Sequence, residues 1–126
     1  MNTIPVQKIY EILAPLLPDN WQEFVLYMRY EEESFVMKYY VQMGDGKYVE
    51  CFKLKDIKRK EIFDAFMDID DLIDPIRRKL KEKDKWTLAT VVVNANGKFK
   101  YDFVYDDVSE ANVQWFKEWK SKYLSS

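Results

Sequence analysis

Histidine is missing from all 126 residues, and cysteine occurs once, at Cys51. Without histidine the chain lacks the side chain best suited to proton transfer near neutral pH and the commonest metal ligand. Ser-His-Asp and Cys-His catalysis are therefore impossible within it. One cysteine excludes an internal disulfide and a cysteine-based zinc site, and a buried, inert thiol is expected. Glycine is limited to three residues and proline to four, and no Gly-rich phosphate loop, HExxH or EF-hand pattern occurs. No apolar run approaches the roughly 20 residues of a membrane span. The opening MNTIPVQKIY lacks the basic region and apolar core of a signal peptide. Twenty basic against 22 acidic residues leave a formal net charge of −2, so no general affinity for nucleic acid is expected. These absences predict a cytoplasmic protein without metal or cofactor.

What is abundant is apolar and aromatic. Apolar residues make up 48% and aromatics 17%, enough for a dense core in one domain spanning 1–126. Apolar positions Ile9, Ile12, Leu13, Leu16 and Leu17 have helical spacing, with Pro15 expected to end or kink the helix. Trp21–Tyr30 alternates as a strand, with Phe24, Leu26, Met28 and Tyr30 on one face and Trp21, Val25 and Tyr27 on the other. Beyond the charged turn Glu31-Glu32-Glu33, Phe35–Met43 reads as a second strand, and after Gly44-Asp45-Gly46, Lys47–Phe52 reads as a third. Between 55 and 84, Ile62, Phe66, Ile69, Ile73, Ile76 and Leu80 form one stripe of a long helix that Pro75 should kink or split near Asp74.

Two apolar-rich runs then flank Asn94-Ala95-Asn96-Gly97. Asn-Gly is a strong hairpin signal, because both residues tolerate the positive φ of tight turns. In the second run Phe99, Tyr101, Phe103 and Tyr105 line one face, a pattern that core packing explains. Ser109–Tyr123 closes the chain as an amphipathic helix, Ser109 its N-cap and Glu110 in its first turn, docking through Val113, Phe116, Trp119 and Tyr123. The expected fold is α+β: an antiparallel sheet of about five strands with helices packed on it, in the order α-βββ-α-ββ-α.

Two acidic groups are candidate sites. Asp64, Asp68 and Asp71 follow i, i+4, i+7 and share a face opposite the Ile62–Phe66–Ile69–Ile73 stripe, broadened by Asp70 and Asp74. A solvated face is the ordinary reading of a charge run. Like charges so spaced cost a helix a few tenths of a kcal/mol per pair, and basic blocks at 58–60 and 77–79 flank them. That segregation suits a surface that meets a basic partner. The second group is Asp102, Asp106 and Asp107. Asp102 and Asp106, with Lys100 on the same strand face, faintly resemble the acids of metal-dependent nucleases, a spacing also common on any wet strand face. Trp21 and Trp86 each open a strand and are expected at the sheet margin. Trp115 and Trp119 share a helical stripe, chiefly a core reading, with the alternative that they anchor the partner of an adaptor or binding subunit.

The segments together carry a family resemblance. Leu17-Pro18-Asp19-Asn20-Trp21 followed by Val25 and Tyr27, Asp45-Gly46 with Tyr48, Ile62-Phe63-Asp64, Trp86-Thr87 and, above all, the run GKFKYDFVYDDVS from Gly97 to Ser109 resemble the YezG-like immunity proteins, antitoxins of Firmicute bacteria. Residues 53–60 are more basic than the family pattern, and Pro75 interrupts its helix. The resemblance implies a non-enzymatic cytoplasmic protein that neutralises a cognate secreted toxin, often a nuclease, by binding it. On that basis Asp64, Asp68, Asp71, Asp106 and Asp107 are the candidate partner-binding residues. Negative charge at Asp106-Asp107 also suits the start of a helix.

Overall fold

A computed structural model of the protein describes residues 3–106 and 113–125. Asp107, Ser109 and Glu110 lie outside the described residues. The described elements run α1 (Val6–Leu13), β1 (Glu23–Tyr30), β2 (Phe35–Gln42), β3 (Tyr48–Glu50), α2 (Arg59–Arg78), β4 (Leu88–Asn94), β5 (Phe99–Val104) and α3 (Val113–Tyr123), with short 3-10 turns at Ala14–Leu16, Cys51–Lys53 and Glu82–Asp84. This is the α+β arrangement expected, in the order α-βββ-α-ββ-α.

The sheet has five strands in the order β3-β2-β1-β4-β5, and every neighbouring pair is antiparallel. β1 is central, pairing Glu23–Tyr30 with β2 on one side and Glu23–Arg29 with β4 on the other. The chain leaves β3 at one edge, crosses a sheet face as α2, and returns beside β1. Period-two alternation then sorts the side chains. Phe24, Leu26 and Met28 of β1, Met37, Tyr39 and Val41 of β2, and Ala89, Val91 and Val93 of β4 face α1 and α2, where they meet Ile9, Leu13, Ile62, Phe66, Ile69 and Ile73. On the opposite face Val25, Tyr27, Tyr40, Leu88 and Val92 close around Trp119 of α3.

Local chemistry places the element ends. Pro15 stops α1 at Leu13 and converts the next turn to 3-10 geometry. α2 runs unbroken through Pro75, against the split expected near Asp74. Pro75 and Asp71 are both exposed, so water can satisfy the Asp71 carbonyl, whose usual amide partner proline lacks. The buried Ile73 and the anchored Arg77 hold the helix on both sides of the proline. β3 is shorter than the expected 47–52, because the chain turns at Cys51 to bury its thiol. The β2–β3 and β4–β5 hairpins use one device. Met43 and Lys47 close a three-residue loop, as do Asn94 and Lys98, with Gly46 (φ 83°) and Gly97 (φ 93°) supplying the left-handed residue. Asn96 keeps a negative φ and instead accepts the Lys98 amide on its side-chain oxygen at 3.1 Å. The Asn-Gly signal therefore marks a bulged loop rather than a two-residue turn.

Candidate partner-binding surface

The outer side of α2 carries the first acidic group. Burying Ile62, Phe66, Ile69 and Ile73 against the sheet turns Asp64, Asp68 and Asp71 out to solvent. The helix opens with the cations Arg59 and Lys60 at its electropositive end, an unfavourable placement that neighbours offset. Lys60 Nζ donates to Asp64 Oδ2 at 2.9 Å, and that hydrogen bond and charge raise the Lys60 pKa. The Arg59 guanidinium stacks over the Phe52 ring at 4.6 Å. Asp68 and Asp71 take part in none of the ion pairs found on this helix.

Asp70 and Asp74, grouped by sequence with these three, point elsewhere. Tyr30 Oη donates to Asp70 Oδ1 at 2.6 Å, and burial, this bond and the neighbouring carboxylates push the Tyr30 pKa up. Arg78 Nε donates to Asp74 Oδ2 at 2.6 Å. Both acids line a cleft of about 250 Å³ together with the Glu31-Glu32-Glu33 turn, Arg77, Arg78 and Lys85. Arg77 closes the base: its Nε donates to the Trp86 carbonyl at 2.8 Å, and its guanidinium lies over the Tyr30 and Trp86 rings at 5.2 and 5.5 Å. Burial lowers the Arg77 pKa from its ordinary value. The Glu31–Glu33 turn thus adds acids to this side of the molecule that the helical spacing alone does not reveal.

Two apolar residues lie among the outward acids. Phe63 is 49% exposed and Met67 54% exposed, one turn apart and adjacent to Asp64 and Asp68. Phe63 leans on Phe52 with ring centroids 5.4 Å apart, and this fixes its position without covering it. The sequence signal for the pair is that Phe63 and Met67 sit at i, i+4 off the buried stripe. The result is a helix face that carries exposed carboxylates and two large exposed apolar side chains.

The second acidic group is dispersed. Asp102 faces α3, where Tyr123 Oη donates to its Oδ2 at 2.7 Å. Asp106 follows β5, its backbone carbonyl accepting the Thr87 hydroxyl. It stands next to Tyr105, which lines a second cleft with Arg29, Glu31, Arg77 and Thr87. No group of three or more carboxylate or thiol ligands arranged for a metal occurs among the described residues.

The aromatic candidates divide as well. Trp119, 5% exposed, donates from Nε1 to the Thr90 hydroxyl at 3.0 Å within a ring of Tyr27, Tyr40, Phe116 and Tyr123. It is a core residue and cannot anchor a partner; Trp115 is half-buried beside it. Val113, expected to dock with α3, is exposed. Trp86 is buried at the sheet margin as expected. On β5 the core reading holds only in part: Tyr101 and Phe103 pack against the main core, while Phe99 and Tyr105 stand 57% and 49% exposed.

No described helix is long and apolar enough to cross a membrane. The family model of YezG-like immunity proteins matches residues 4–125. The chain is also similar to the immunity protein YezG of Bacillus subtilis (strain 168), with 22% identity over 129 residues that cover 94% of this chain and 84% of that protein. This chain belongs to the YezG-like immunity protein family.

Proposed function

We propose that this protein is a cytoplasmic immunity protein, without catalytic activity, that neutralises a cognate secreted toxin by binding it through the outer face of α2. Family membership supports the class of function. The observation that carries the site is the placement of Asp64, Asp68 and Asp71 around exposed Phe63 and Met67. Such a face suits a basic toxin, and a nuclease is the reading that fits best, because its phosphate-binding groove is basic. Carboxylates around that groove accelerate encounter and set register, and the two apolar side chains supply the desolvated anchors that hold the complex. Asp106, with Asp107 next to it in sequence, extends the acidic surface on the β5 side in this proposal.

The test is binding to the cognate toxin. Reversing Asp64, Asp68 and Asp71 together to lysine should weaken affinity on the order of a hundredfold and flatten the salt dependence of association. Phe63→Ala and Met67→Ala should each weaken it by about 1 kcal/mol or more, chiefly through faster dissociation. Unchanged affinity of the triple variant at low salt would sink this assignment of the surface.

A further inference from the structure

The two edges of the sheet are built differently. β3 is three residues long and ends in a 3-10 turn, a blunt edge that offers little to a partner strand. β5 is six residues long and ends the sheet on the other side. The direction of its free hydrogen-bonding groups follows from the ladder. Asn94 N–H donates to the Lys98 carbonyl at 2.7 Å, and the β4–β5 register runs from Val93↔Phe99 to Leu88↔Val104. Antiparallel alternation then directs the backbone of Lys98, Lys100, Asp102 and Val104 toward β4. The N–H and C=O groups of Phe99, Tyr101 and Phe103 point away, to the open edge. The next ladder agrees: Ala95 N–H donates to the Gln22 carbonyl at 2.8 Å, so β4 turns alternate residues toward β1 and β5 in this same phase.

The side chains of this edge complement themselves. We propose that two copies of this protein pair β5 against β5 in antiparallel fashion, about a two-fold axis at Tyr101, joining their sheets into one. That register sets Phe99 opposite Phe103 of the second copy, Tyr101 opposite Tyr101, and Lys100 opposite Asp102, each relation occurring again by symmetry. Lys100 and Asp102 fall at the non-hydrogen-bonded positions of the new ladder, where facing side chains are closest and opposite charges stabilise most. Asp102 is already oriented, since its Oδ2 accepts the Tyr123 hydroxyl and its second oxygen is available for the incoming ammonium. Other registers over β5 are worse. An axis at Lys100 or Asp102 sets like charges face to face, and an axis at Phe99 sets Lys98 opposite Lys100. On the other face the paired aromatics bring Phe99, 57% exposed in one copy, against a second ring. Lysine on a sheet edge ordinarily deters pairing; here it meets an aspartate within β5 in a register where the aromatics also align.

The test is sedimentation equilibrium of the full chain from low to several hundred micromolar. The weight-average mass should rise from 15.3 kDa toward twice that value. Lys100→Asp sets carboxylates face to face at both positions and should weaken dimerisation by about tenfold or more. The double exchange K100D/D102K restores opposite charges and should recover much of the loss, an outcome that general destabilisation cannot mimic. Lysine at 64, 68 and 71 should leave the dimer intact, which separates this surface from the toxin-binding one. A wild-type mass that stays at 15.3 kDa throughout, or a K100D variant that dimerises as tightly as wild type, overturns the proposal.

Discussion

The two faces of the sheet are covered by different means. Under α1 and α2 the contact is broad: aliphatic residues of three strands meet Ile9, Leu13, Ile62, Ile69 and Ile73 over most of the sheet. Under α3 it is narrow and aromatic, centred on one indole with one buried side-chain hydrogen bond. A broad aliphatic contact tolerates loss of any one member. The narrow face depends on its centre.

The sharpest way to break that comparison is Trp119→Ala. It removes the ring that Tyr27, Tyr40, Phe116 and Tyr123 surround and the indole donor to the Thr90 hydroxyl. The expected cost is about 3–5 kcal/mol, with α3 detaching first. Denaturant unfolding, together with amide exchange that compares α3 with α2, reads both effects; equal loss of protection in the two helices would contradict the difference between the faces.

Alkaline pH probes the broad face next. Burial pushes the Cys51 thiol from an ordinary value of 9.0 up to about 11. The unfolded chain therefore releases this proton first. The associated stability is complete below pH 9 and is lost as pH rises through 11, on the order of 2–3 kcal/mol. Tyr30 and Tyr39 on this face, and Tyr40, Tyr48 and Tyr123 on the other, shift upward chiefly through burial and steepen the fall. Midpoints of urea unfolding measured across this range should decline, and Cys51→Ala should show a shallower decline than wild type.

Arg77→Ala should cost about 1–3 kcal/mol, through the Trp86 carbonyl it leaves unpaired and the two ring contacts it removes. Arg77→Lys should recover little, because an ammonium cannot donate to that carbonyl and lie flat over both rings. Chemical denaturation of the pair checks this. The smallest effect is expected on the outer face of α2. Asn at 68 and 71 should raise stability by a few tenths of a kcal/mol, since these carboxylates repel each other and Asp64 at i, i+3 and i, i+4, while Asp64 keeps its pair with Lys60. Thermal melts at low salt detect it. A gain in stability accompanied by a loss of toxin binding would be the signature of a surface kept for function.

Much of the fold is legible because alternation and helical spacing are local. The assignment of Phe24, Leu26 and Met28 to one face and Val25 and Tyr27 to the other needs only a period of two; Trp21, expected beside Val25, precedes β1 and packs with Phe24 and Tyr10 on the opposite face, because alternation holds only within the strand. The outward set Asp64, Asp68 and Asp71 needs only a period of 3.6. Those patterns say which side chains share a face, but not what covers it. The aromatics of β5 show the limit. Their alternation places them on one face, yet only the strand order makes β5 an edge and leaves Phe99 and Tyr105 exposed. Phe63 and Met67 show it again, because an apolar residue off the main stripe is exposed or buried according to its neighbours in space. The continuity of α2 through Pro75 has the same origin, since packing on both sides of the proline outweighs one missing hydrogen bond.

The sequence by itself determined the elements, their order, the two-sided sorting of the sheet residues and the family. Each depends on interactions within a few residues or on a linear pattern. Tertiary structure alone decided that β1 lies at the centre, that Asp70 turns toward Tyr30, that Trp119 rather than Trp115 fills the second core, and that β5 is an open edge. Those outcomes depend on which distant segments meet, and burial of the most apolar surface by the whole chain sets that choice.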